Sequence, residues 1–86
     1  MAITKVDSST SSATLLSNDP YRQGFVIENS DANRLYVLLD SGTASATNYS
    51  FSLAQNENAR INGYKGAVTG IWASDGSGSA LITVIA

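Results

Sequence analysis

The sequence predicts an all-β fold, a small antiparallel β-sandwich or barrel of about seven strands with a short N-terminal arm. Three observations predict it. Short apolar segments recur at regular intervals, turn-forming residues bound each of them, and the later segments are rich in β-branched residues. Between these breakers there is no room for the long 3.6-residue periodicity of an amphipathic helix.

The elements follow in order. MAITKV at 1–6 is separated from the rest by DSSTSS at 7–12, a hydroxyl-rich stretch with nothing to bury. Residues 1–12 therefore read as an arm and its linker, or as a frayed end, and residues 13–86 as a single β-domain. In an arm, Ile3 and Val6 are the apolar contact candidates. ATLL ends at the breaker SNDP, GFVIEN at SDAN, and RLYVLL at DSGTAS. NYSFSLA alternates Asn48, Ser50 and Ser52 with Tyr49, Phe51 and Leu53, the period of a strand with one wet face. NARING repeats the pattern more weakly through Ala59 and Ile61. GAVTGIWA follows the turn signal at 62–65, and SALITVIA follows DGSGS at 75–79, which reads as a hairpin turn.

RLYVLL places Tyr36 and Leu38 on one face and Leu35, Val37 and Leu39 on the other, as an inner strand covered on both sides would. SALITVIA has the same character. Burying Leu81, Ile82, Val84 and Ile85 would contribute on the order of 6–12 kcal/mol, comparable with the net stability of a whole domain. The C-terminal segment is thus expected to be a framework strand. One small sandwich has a single interior, so the second apolar face of such strands calls for a neighbouring subunit or a larger surface.

A chain of 86 residues without cysteine or histidine can use neither disulfides nor imidazole ligands to supplement its core, which leaves association. Five basic residues stand against seven acidic ones and are scattered along the chain, so no footprint for nucleic acid is visible. No segment reads as a secretory signal or a membrane span, and a soluble protein made in the cytoplasm is expected. The spacing Asn48-Tyr49-Ser50 matches a glycosylation sequon but reads as part of a strand.

Chemistry finds little support. The many serines and threonines have no histidine base, and no Gly-x-Ser-x-Gly occurs. DGSGS lacks the lysine of a phosphate loop and the spaced carboxylates of a calcium loop. Glu28 and Glu57 read as solvated charges at strand ends. The chain is read as a non-enzyme with no cofactor or metal. Trp72, between Gly70 and Ala73, is expected in the core, whereas Tyr21, Arg22 and Tyr64 are candidates for a surface interface.

NDPYRQGFVIEN at 18–29, ANRLYV at 32–37, the segment 42–49, and above all GYKGAVTGIWA at 63–73 followed by a Gly/Ser turn and an apolar strand resemble segments of small virion proteins of tailed bacteriophages. The resemblance covers residues 13–86 and contains no catalytic motif. It implies a compact β-domain that decorates or cements a capsid, or forms part of a head fibre, as a small oligomer. It implies a trimer bound to the major capsid protein on the virion surface, with no nucleic-acid or membrane partner. The competing expectation is a host-recognition module on a fibre or tail, binding glycan through exposed aromatics such as Tyr21 and Tyr64.

Overall fold

The computed structural model describes residues 2–86. Eight strands form, β1 (Ala2–Asp7), β2 (Ala13–Leu16), β3 (Gly24–Asn29), β4 (Leu35–Leu38), β5 (Phe51–Leu53), β6 (Asn58–Asn62), β7 (Val68–Trp72) and β8 (Ser79–Ile85). They make two four-stranded antiparallel sheets, sheet A in the order β1-β8-β3-β6 and sheet B in the order β2-β7-β4-β5. The all-β sandwich expected from the sequence is what the chain adopts, with seven strands from Ala13 onward and β1 as an eighth.

The pairings reveal how the sandwich is wound. β1 pairs with β8, β2 with β7, β3 with β6 and β4 with β5, so the chain is one long ribbon folded back on itself at residues 39–50. The further pairs β3 with β8 and β4 with β7 roll that ribbon into two sheets. Among the described residues only the β4–β5 connection stays within one sheet; every other connection crosses between them. Eight strands wound in this way are a jelly roll, here built on a very short chain.

Alternation along each strand supplies the core. Phe25 and Ile27 of β3 and Ile82 of β8 face Leu35 and Val37 of β4 and Val68 and Trp72 of β7, all buried. β2 departs from strict alternation: its register shifts between Thr14 and Leu16, and this irregularity lets the consecutive Leu15 and Leu16 both be buried. Leu15 in turn occupies the space over Gly70, where a Cβ would lie 2.8 Å from its Cδ1. The glycine inside β7 is a packing requirement.

Two expectations about connections are corrected. Residues 2–6 are no free arm: they belong to β1, which runs along β8 in the register Lys5 opposite Leu81 and Val6 opposite Ala80. Met1 lies outside the described residues. The hydroxyl-rich linker is pinned as well. The Ser8 amide donates to Gly78 O, Ser9 O accepts from the Trp72 amide, the Thr10 amide donates to Asp75 Oδ1, and Ser12 Oγ accepts from the Ala44 amide. Serine and threonine are abundant here because a strand-to-strand crossover must satisfy its backbone without a ladder. Likewise DGSGS closes no hairpin, since β7 lies in sheet B and β8 in sheet A.

β4 and β8 are both inner strands, as their two apolar faces require, but the chain treats their outer faces differently. Over sheet B the loop 39–50 folds back: Thr69 Oγ1 donates to Gly42 O at 2.9 Å, Ala44 is buried, and the Tyr49 ring lies 4.9 Å from that of Tyr36. The outer residues of β4 thus find cover within the chain, which removes half of the sequence argument for a partner. Outside β8, Leu81 remains exposed.

Candidate binding surface

Register places the side chains of sheet A that point away from the core. Across the strands the rows are Ile3, Thr83, Val26 and Arg60, then Lys5, Leu81, Glu28 and Asn58. Ile3 is 75% exposed and Leu81 39% exposed, with Val26, Thr83 and Ile85 half-buried among them. The result is an apolar centre with charged residues around it, on a face assembled from β1, β8, β3 and β6. The face thus carries a few apolar side chains among charged ones. Among the described residues there is no cavity and no convergent set of metal-ligating side chains.

The residues singled out from the sequence are not brought together. Ile3 is on the outer face of β1. Tyr21, 84% exposed, caps the turn after Pro20, where its amide donates to Asp19 Oδ1. Val6 faces the other way and packs against the core. Tyr64 is half-buried against the same core, and its hydroxyl donates to Ala67 O at 2.7 Å, so it is no free surface aromatic. Arg22 is buried to 1% exposure. Its Nε donates to Tyr64 O, Nη1 to Ser17 O and Nη2 to Gly66 O, and its guanidinium carbon sits 5.5 Å from the centre of the Phe25 ring. A buried guanidinium is tolerable when its donors are satisfied, and here three carbonyls from two loops satisfy them. Arg22 therefore holds the turn at 64–66 against the loop before β3 and has no donors to offer a partner along those directions.

The polar interior has the same structural purpose. Asp31, buried in the crossover after β3, accepts from the Asn33 amide at 2.7 Å, from Asn33 Nδ2 at 2.9 Å and from the Gly78 amide at 2.9 Å. A Cβ on Gly78 would lie 2.5 Å from the Asp31 Cα and one on Gly76 would run into the Asp31 carboxylate, so DGSGS is glycine-rich to admit Asp31. The Asn33 amide lowers the Asp31 pKa below 3.8; burial opposes it and the Gly78 amide assists. A depressed carboxylate stabilises the fold above its unfolded-state pKa, and that contribution is lost as pH falls through the lower folded-state value. Asp31→Asn is accordingly expected to melt below the wild type at neutral pH, with the gap closing as pH falls below 3.8; thermal melts across pH 2–7 check it.

Two features of the surface escaped the sequence. The Tyr36–Tyr49 pair arises because the loop 39–50 folds back, and strand alternation alone gives no signal of that contact. The open face of sheet A depends on which strands are neighbours, although the exposed alternate residues of SALITVIA were visible as its second apolar face.

No protein-family model matches this chain, and neither the curated proteins nor the solved structures searched contain a match.

Proposed function

We propose that this chain is a non-enzymatic structural protein of a phage virion that binds and stabilises the capsid lattice as a decoration or cement protein. The observation that carries the reading is the outer face of sheet A, where an inner strand of the sandwich presents Leu81, Thr83 and Ile85 beside the exposed Ile3. The motif order from NDPYRQGFVIEN to GYKGAVTGIWA supports the virion setting, and jelly rolls serve in virus capsids as well as in lectins, a fold-level analogy. On a capsid the partner is the major capsid protein, and an oligomer of this domain bound to many equivalent sites gains avidity from modest individual contacts.

The test is co-sedimentation with undecorated capsids. Wild type is expected to bind saturably. Leu81→Lys, at an exposed position, is expected to keep its melting temperature and lose about tenfold or more in affinity, as loss of a central apolar contact does. Thr14→Lys, on the outer face of sheet B, is expected to bind as wild type. A Leu81→Lys protein that binds undiminished contradicts the assignment of this face.

Host recognition through a surface glycan is the second reading, favoured by the exposed Tyr21 and by the Tyr36–Tyr49 pair with Tyr49 43% exposed. Aromatic rings at a wet surface can stack on sugars. Saturable binding on a glycan array, lost on Tyr49→Ala and accompanied by no capsid binding, would replace the capsid reading with this one.

A further inference from the structure

β1 is an edge strand of sheet A, with β8 on one side and no further strand on the other among the described residues. Its backbone phase can be read from the end of the pairing. One residue beyond the last pair, Asp7 opposite Ser79, the Ser8 amide donates to Gly78 O, while Ser79 O turns the other way to accept from the Ser30 amide, so Ser8 faces β8 and Asp7 does not. Alternation along an antiparallel strand then directs the backbone groups of Thr4, Val6 and Ser8 toward β8, and those of Ile3, Lys5 and Asp7 toward the open edge. The side chains of Lys5 and Asp7 are exposed on the outer face, one on each side of Val6.

We propose that β1 is a self-pairing seam: two copies of the chain join their β1 edges antiparallel about a two-fold axis at Val6, merging two sheets A into one eight-stranded sheet. In that register Lys5 of each copy lies opposite Asp7 of the other. These are also the residues whose N–H and C=O groups point outward, so each Lys5–Asp7 pair forms both backbone hydrogen bonds and an opposite-charge cross-strand contact. The arrangement is isologous, as a two-fold interface must be. Alternative registers fare worse. Centring on Lys5 sets two ammonium groups face to face, and centring on Thr4 puts Lys5 opposite Ile3 and leaves its charge without a partner. The paired stretch is short, so the dimer is reversible, in keeping with an edge that is charged rather than apolar. A two-fold seam gives a dimer or an even-numbered assembly in place of the trimer that the virion resemblance implies.

The proposal goes beyond the capsid reading and does not depend on it. Capsid binding by a strictly monomeric protein overturns the seam alone; a dimer that ignores capsids overturns that reading alone.

The test is sedimentation equilibrium of the full chain from micromolar to millimolar concentration, with melting temperatures recorded to verify folding. Wild type is expected to follow a monomer–dimer equilibrium. Lys5→Glu and Asp7→Lys each set like charges opposite one another at both symmetric pairs, and each is expected to weaken dimerisation by about tenfold or more. The double variant Lys5→Glu/Asp7→Lys restores opposite charges and is expected to recover the wild-type equilibrium. A wild type that stays monomeric throughout, a trimer, or a dimer indifferent to the single reversals overturns the proposal.

Discussion

Removal of residues 81–86 is expected to unfold the protein. β8 lies between β1 and β3, and the deleted residues pair with Ala2 to Lys5 on one side and with Gly24 to Glu28 on the other. The loss is therefore twofold. Ile82, fully buried, and Val84, packed on the core, leave the interior, at about 1.5–3 kcal/mol for each well-buried side chain. The backbone groups of two neighbouring strands lose their ladder partners as well, and β1 keeps almost nothing to pair with. Natural domains hold only about 5–15 kcal/mol in total, and a small one lies near the lower end. Far-UV circular dichroism and thermal melting of the truncated chain should show no cooperative transition. Ser77→Ala, in the exposed part of the preceding loop, should melt within a few degrees of wild type. A truncated protein that melts cooperatively would mean that β8 is dispensable to the fold and that the rolled-ribbon account is wrong.

Asn29→Leu is expected to be the most damaging single substitution. Asn29 ends β3 in sheet A, and its side chain reaches across to sheet B, fully buried. Its Oδ1 accepts from Trp72 Nε1 at 3.0 Å and from the Asp31 amide at 3.1 Å, while Nδ2 donates to Leu53 O at 3.0 Å and to Asn33 O at 2.9 Å. One amide thus satisfies groups from β5, β7 and the crossover that carries Asp31. Leucine has a similar volume and no polar atom, so the packing survives while several buried groups lose their partner, at about 1–3 kcal/mol each. Denaturant unfolding should give a loss of roughly 3 kcal/mol or more. Trp72→Phe removes only the indole donor and should cost less than Asn29→Leu. A loss below about 1 kcal/mol for Asn29→Leu would show that water replaces the amide and that the network does not fasten the sheets.

The strands were legible because their information is local. Period-two alternation at 51–53 and the β-branched runs before and after DGSGS fix which segments extend and which residues face inward, and Trp72 in the core followed from its small neighbours. The strand expected from residue 48 begins only at Phe51, because Asn48, Tyr49 and Ser50 belong to the loop that folds back and Tyr49 meets Tyr36 outside the sheet. Where each strand goes next is not local. Turn residues such as DGSGS or SDAN announce that the chain bends, and a tight hairpin and a crossover between sheets use the same glycines, serines and aspartates. Only packing separates them: Gly78 is glycine because the Asp31 backbone lies against it. The same limit hid β1. MAITKV already alternates Ile3 and Lys5 with Thr4 and Val6, but DSSTSS suggested a tether, and the serines turn out to bond the loops they cross.

The candidate surface was less legible than the fold. Arg22 and Tyr64 drew attention as exposed-looking residue types in turn sequences, yet satisfying loop carbonyls in a small domain draws both inward. Ile3 and Tyr21 are open to solvent, but one lies on β1 and the other in the turn before β3, and they do not form one site. What the sequence did carry is the second apolar face of SALITVIA, which the chain leaves partly uncovered at Leu81.

Copy number in purified virions tests the capsid reading most directly. Quantitative mass spectrometry of intact particles, with the major capsid protein as internal reference, is expected to find this chain in a fixed ratio to that protein, as a lattice-bound decoration requires. A complement of only a handful of copies per particle, or none, would contradict it.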